Sequence, residues 1–243
     1  MVAMTFSCEE NGSSDNFNST QSSGSGTGGS MTRFAIQGNY MYIVDGSSIK
    51  VFSVESGKFN LLPEVPVGFG IETIFAKAEY LYLGANDAMY IYSISNPESP
   101  KFIFRYSHIV SCDPVVVQGS RAYVTLSSGS RCNRGTNSLE IIDITNPYEP
   151  HLVVNYPMES PRGLAIDGNV LFICEADNGL KAYDVSNERN IKLIETRKDF
   201  HAFDVIAKGG LATITGQDGI FQFSYSASGI KLVSKIPVTR PEL

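Results

Sequence analysis

The sequence predicts an all-β fold, a five-bladed β-propeller of four-stranded antiparallel blades behind a disordered N-terminal tether. A strand-ending phrase recurs five times, as Val51-Phe52-Ser53, Ile91-Tyr92-Ser93, Ile141-Ile142-Asp143, Ala182-Tyr183-Asp184 and Gln222-Phe223-Ser224. Its third residues are spaced by 40, 50, 41 and 40 residues. A period of this size suits a propeller, because one four-stranded unit cannot bury both of its faces and must stack on its neighbours. Helices do not compete. Apolar residues nowhere recur at three-and-four spacing through a helix-length window, whereas β-branched and aromatic residues fill runs such as Tyr40-Met41-Tyr42-Ile43-Val44 and Tyr80-Leu81-Tyr82-Leu83. A two-sheet sandwich would use the same strands but needs no self-similarity at this period.

The chain opens on Met1-Val2-Ala3-Met4-Thr5-Phe6-Ser7-Cys8, after which the composition turns at once to Ser, Gly, Asn, Thr and acids as far as Ser30. This resembles the end of a bacterial lipoprotein signal, which implies a lipid on Cys8. The apolar run is short, Thr5 stands where such signals usually have Leu, and no basic start precedes it. With Met1 as the true start, the alternative is a cytoplasmic tail. Residues 9–30 hold too little apolar surface to offset chain entropy, so a flexible linker with an r.m.s. span of roughly 25 Å is expected.

Five units follow, near 31–68, 69–109, 110–159, 160–199 and 200–243. In the fourth, Gly163-Leu164-Ala165-Ile166 reads as a first strand and Asp167-Gly168-Asn169 as a tight turn. Val170 to Cys174 reads as a second strand, Leu180 to Val185 as a third, and Lys192 to Thr196 as a fourth. The first turn recurs as Gln37-Gly38-Asn39, Ala76-Lys77-Ala78-Glu79, Gln118-Gly119-Ser120 and Lys208-Gly209-Gly210. Asn146-Pro147 and Asn96-Pro97 follow third strands, where proline fixes φ and asparagine caps the turn. Asp143 and Asp184 end third strands at equivalent places, so their periodicity assigns them to turns rather than to chemistry. Cys174, inside an alternating run, reads as a small buried hydrophobe. Both terminal units contain four strands of their own, so no exchanged strand is expected at ring closure.

Leu139-Glu140-Ile141-Ile142-Asp143-Ile144-Thr145-Asn146-Pro147-Tyr148-Glu149-Pro150 resembles the signature of LVIVD-repeat proteins, a mainly bacterial group of propellers often found as exported or surface lipoproteins. Ile91 to Pro100 is a second copy, and Leu180 to Asn187 a third that lacks the prolines. The resemblance covers residues 31–243 in rhythm and the middle three blades in motif. It implies a cell-envelope location, with a lipid-anchored chain at the outer membrane or cell surface, and it transfers no catalytic residues.

The net charge of −6 and the absence of a basic stripe argue against a nucleic-acid partner. No run reaches the roughly 18 apolar residues of a spanning helix, so membrane attachment is expected through a lipid only. The four cysteines form no C-x-x-C pair, no cofactor or metal site is predicted, and a monomer is expected. Nucleophile elbows, phosphate loops and H-E-x-x-H motifs are missing, so no catalytic residue is assigned.

Alternating strand direction gathers the blade-to-blade connections and the second turns of each blade onto one rim around the channel mouth. Blade three places its one long insertion there, Leu126 to Asn137, and the insertion brings Cys132 to the same rim as Cys112. In an exported protein a disulfide between them is expected, worth about 3 kcal/mol in the chain-entropy model. Candidate ligand-binding residues on this rim are Arg131, Arg134, Arg162, His201 and Asp204. The expected function is a non-enzymatic binding or scaffold module of the cell envelope that engages a protein or polar ligand through the rim. The alternative is a metal-dependent, lactonase-like hydrolase built from channel acids and His201.

Overall fold

The computed structural model describes residues 28–107, 114–128 and 137–238. They form five antiparallel sheets, and no helix occurs among them. Blade 1 holds β1 (Phe34–Gln37), β2 (Tyr40–Val44), β3 (Ser48–Glu55) and β4 (Lys58–Leu61), with the short β5 (Val65–Pro66) also paired to β3. Blade 2 holds β6 (Ile71–Lys77), β7 (Tyr80–Ala85), β8 (Ala88–Ser93) and β9 (Lys101–Ser107). Blade 3 holds β10 (Val115–Gln118), β11 (Arg121–Leu126), β12 (Ser138–Asp143) and β13 (His151–Pro157). Blade 4 holds β14 (Leu164–Asp167), β15 (Val170–Cys174), β16 (Leu180–Asp184) and β17 (Lys192–Arg197). Blade 5 holds β18 (Ala202–Lys208), β19 (Leu211–Gly216), β20 (Gly219–Ser226) and β21 (Gly229–Pro237). Each blade pairs its strands in sequence order, so the chain is a five-bladed β-propeller, and among the described residues no strand is exchanged between the first and last blades.

The repeat is written in turn chemistry. The first hairpin of every blade carries a left-handed residue at the same place, namely Gly38, Gly119, Gly168 and Gly209 at φ of 58° to 60°, and Ala78 at 50°; in blade 5 Gly210, at 83°, adds a second. A Cβ on any of the four glycines meets nothing within 4 Å, so the penalty for a side chain there is backbone strain alone. Ala78→Gly is therefore expected to raise stability by about 1 kcal/mol, read as a shifted urea midpoint at unchanged slope. A lowered midpoint would show that lost chain entropy outweighs the strain.

Third strands end as the periodicity indicates. The side chains of Asn96, Asn146 and Asn187 accept the amides of Glu98, Tyr148 and Arg189 at 3.3, 3.1 and 3.1 Å. The carboxylates of Asp143 and Asp184 accept the amides of Thr145 and Ser186 at 2.8 Å each. These bonds hold both acids below the usual carboxylate range, through the hydroxyl and amide of Thr145 for Asp143 and the amide and hydroxyl of Ser186 for Asp184. Both carboxylates therefore act as turn caps. In blades 2 to 5 a bulge recurs where third and fourth strands pair, at Ile91/Tyr92, Ile141/Ile142, Ala182/Tyr183 and Gln222/Phe223, adding twist to the outer half of these blades.

The core of the described residues lies in the seams between successive blades. Between blades 4 and 5, Phe172, Cys174 and Leu180 meet Phe200, Phe221 and Phe223. Cys174 is fully buried, and that burial pushes its thiol well above the ordinary range, which makes it a packing residue rather than a reactive one. Polar pegs reinforce the seams: the Tyr42 hydroxyl donates to the Pro97 carbonyl at 3.0 Å and the Tyr156 hydroxyl to the Glu188 carbonyl at 2.9 Å. Arg121 bridges Asp143 and Glu188 at 2.8 Å each.

The seam between blades 5 and 1 is different. None of the apolar clusters spans it, and Phe34, Phe203, Ile206 and Ile220 stay 49, 42, 37 and 38% exposed. Composition explains this. Thr213 and Gln222, paired on this face of blade 5, stand where blade 4 pairs Phe172 with Ala182.

Candidate functional site

The five inner strands β1, β6, β10, β14 and β18 surround one central cavity of about 270 Å³. Its upper end, where the inner strands begin, is the rim singled out from the sequence. The structure places residues 28–33 across that end. Ser30 is 1% exposed; its hydroxyl accepts the Leu164 amide at 2.8 Å and donates to the Asp204 carboxylate at 2.9 Å. The Met31 amide donates to the second Asp204 oxygen at 3.3 Å. Gly29 and Gly163 let the carboxylate approach, since a Cβ on either would lie 2.2 or 2.1 Å from an Asp204 oxygen. Composition alone assigns Gly28 to Ser30 to the linker; their packing here rests on Asp204, which is 174 residues from Ser30 in sequence.

Asp204 is half-buried, and the loss of water raises its carboxyl above the ordinary range, although the Ser30 hydroxyl and backbone amides pull the other way. For an acid raised in the folded state, the stabilising contribution is complete below the ordinary carboxylate value and is lost as pH rises through the raised one. Asp204→Asn removes that dependence. The melting temperature of the variant minus that of the native chain should therefore grow as pH rises from the ordinary carboxylate value upward; a flat difference would mean Asp204 does not titrate abnormally.

The other rim candidates lie apart from this group. Arg162 donates its amide to the Cys174 carbonyl at 2.7 Å and accepts the Thr125 hydroxyl on its own carbonyl at 2.7 Å. His201 sits in the connection from blade 4 to blade 5, its ring 2.5 Å from the Asp177 carboxylate and 4.7 Å from the Phe203 ring centre. Arg131, Arg134, Cys112, Cys132 and Cys8 lie outside the described residues, as does most of the blade-three insertion. The base of that insertion is pinned: Asn137 accepts the Ser128 amide at 2.8 Å and donates to the Glu159 carbonyl at 2.5 Å. Glu175, fully buried, accepts the amides of Glu159 and Ser160 at 3.1 and 2.7 Å and faces the Lys181 ammonium at 3.5 Å. Among the described residues, no three His, Cys, Asp or Glu side chains are placed to hold a metal ion.

One rim residue escaped the sequence reading. Phe69 is 87% exposed between Gly68 and Gly70, in the connection from blade 1 to blade 2. The loop is fastened on both sides of it. The amides of Val67 and Gly68 donate to the Ser47 carbonyl at 2.9 and 3.2 Å, that of Ile71 to Gly46 at 3.1 Å, and that of Asn86 to Gly70 at 3.0 Å. An aromatic flanked by two glycines between strands was the available signal.

The LVIVD repeat matches residues 28–49, 72–108, 133–157 and 160–198, which takes in the capped turns of blades 2 to 4. The chain belongs to the LVIVD repeat family. Among curated proteins none matches this LVIVD-repeat chain. Solved structures resemble its fold. A periplasmic gluconolactonase of Pseudomonas aeruginosa, PpgL, aligns at 14% identity over 83% of the chain and 68% of its own length, with a TM-score of 0.66. A functionally unknown protein from Desulfotomaculum acetoxidans aligns at 10% identity over 82% and 67%, with a TM-score of 0.70. A putative 6-phosphogluconolactonase from Bacteroides fragilis aligns at 11% identity over 84% and 69%, with a TM-score of 0.66. The LVIVD chain spans 60–69% of the length of such structures, and at these identities the likeness concerns the fold.

Proposed function

We propose that this LVIVD-repeat chain is a non-enzymatic binding or scaffold module of the cell envelope, attached to a membrane by a lipid on Cys8, whose upper rim engages a protein or polar ligand. The observation that carries this reading is Phe69. A large apolar ring held out in water on a loop already fixed by four backbone hydrogen bonds pays little ordering entropy on contact, which is how interface anchors work. The Arg162 guanidinium, which has no ion pair with a described residue, offers a cation on the same rim. By contrast Asp204, Glu175 and Asp177 are engaged in bonds within the chain. The competing reading is hydrolysis of a sugar lactone at the channel mouth, suggested by the names of two fold neighbours.

A photo-crosslinking residue at position 69, in chain produced in its native cells, is expected to yield a discrete adduct that the same residue at position 148 on the opposite rim does not. Phe69→Ala should shift stability by no more than about 0.5 kcal/mol, because the ring contacts water. Absence of an adduct, or identical adducts at both positions, would overturn the rim reading. Turnover of glucono-1,5-lactone by the purified chain, above the solvent rate, would favour the enzyme instead.

A further inference from the structure

Residues 28–33 connect blades that the apolar clusters leave unconnected. Through Ser30 the segment holds Leu164 at the head of blade 4 and Asp204 at the head of blade 5. Two residues later the Thr32 carbonyl accepts the Ile74 amide of blade 2 at 3.0 Å, and the Arg33 carbonyl accepts the Val44 amide of blade 1 at 2.8 Å. The segment keeps its shape by its own bonds, with the Thr32 amide and hydroxyl both donating to the Gly29 carbonyl at 3.2 and 2.9 Å. The seams from blade 1 through blade 5 are closed by buried apolar side chains, for which water offers no replacement. Hydrogen bonds are readily exchanged for bonds to water, so a seam closed by them opens first.

We propose that residues 28–33 form a clasp that closes the propeller at the seam between blades 5 and 1, and that releasing Ser30 from Leu164 and Asp204 parts these two blades and opens the central cavity sideways. Thr213 and Gln222 are polar, and Ile206 and Ile220 on the same face of blade 5 are already 37 and 38% exposed, so opening the seam uncovers little further apolar surface, and the bonds between the other blades are untouched.

The test measures distances between spin labels in the full chain with Cys8, Cys112 and Cys132 changed to Ser, leaving the buried Cys174 unlabelled. One pair, Glu55→Cys with Ser226→Cys, spans the proposed opening; the equivalent pair Ser95→Cys with Thr145→Cys spans the seam between blades 2 and 3. The first pair is expected to give the broader distribution in the native background. Ser30→Ala should move it further outward by at least about 5 Å while the second pair stays narrow, and Ser30→Thr, which keeps the hydroxyl, should restore it. Equal and narrow distributions for both pairs, or simultaneous broadening of both in Ser30→Ala, would overturn the clasp. If Ser30→Ala fails to fold, the comparison of the two pairs in the native background decides.

Discussion

Phe172→Ala is expected to remove about 3–5 kcal/mol of stability, the range for truncating a large aromatic side chain in a core that cannot collapse. Phe172 is fully buried in the seam between blades 4 and 5. Its ring meets the Tyr225 ring edge-on at 4.8 Å, and the Tyr225 hydroxyl donates to Asp167 at 2.5 Å. Truncation therefore removes packing on the blade 4 side and leaves Tyr225 of blade 5 held by its hydroxyl alone. Phe200, in the connection from β17 to β18, stacks on Phe221 and Phe223 of β20 at centroid distances of 4.2 and 5.8 Å, and rings held in this stack cannot move in to fill the space. Urea unfolding followed by far-ultraviolet circular dichroism reads the loss directly, since the chain has no tryptophan. Because each blade contacts only its neighbours, the weakened seam should also broaden the transition as blade 5 begins to unfold ahead of blades 1 to 4. A loss below about 1 kcal/mol would mean that this seam does not hold the ring together.

The blades were legible because their information is local and repeated. A left-handed residue after each first strand, glycine in all blades but the second, an asparagine cap after the third strand of blades 2 to 4, and strands of β-branched and aromatic residues specify a meander without long-range knowledge. Asp143 and Asp184 were read as turn caps because they recur at one place in successive blades, and the hydrogen bonds from Thr145 and Ser186 agree. The upper rim was less legible. Ser30 ends a Ser/Gly tract in which nothing distinguishes it, and its role exists only because folding brings Asp204 and Leu164 to it. The open character of the last seam was visible in principle, since Thr213 and Gln222 break the apolar pattern that Phe172 and Ala182 set one repeat earlier. Reading it required the register of β19 and β20, which a repeat period alone does not supply. His201 was singled out as a lone histidine at a rim, but which carboxylate it meets depends on the path of the blade 4 turn that carries Asp177.

Gly179→Ala should be about as damaging as the core truncation, by a different route. Gly179 has φ of 80°, in the left-handed region where an L residue costs about 1–2 kcal/mol. Strain is the smaller part. A Cβ at this position would lie 1.8 Å from the Arg197 carbonyl oxygen and 2.8 Å from its carbon, both backbone atoms at the end of β17 that no rotamer change can withdraw. Relief requires β16 and β17 to separate where Leu180 pairs with Arg197, an overpacking cost of about 1–3 kcal/mol beyond the strain. The same movement disturbs the turn in which the Glu175 amide donates to the Gly179 carbonyl at 2.7 Å, and with it the buried Glu175 carboxylate that holds the loop entering blade 4. A total loss of about 3–4 kcal/mol is expected, measured by urea unfolding. Gly219 occupies the equivalent place in blade 5, with its Cβ position 2.0 Å from the Ile236 carbonyl oxygen, and Gly219→Ala should show a comparable loss. If both alanine variants instead unfold within about 1 kcal/mol of the native chain, the third and fourth strands of these blades are not paired as closely as described, and the bulged outer half of the repeat would have to be redrawn.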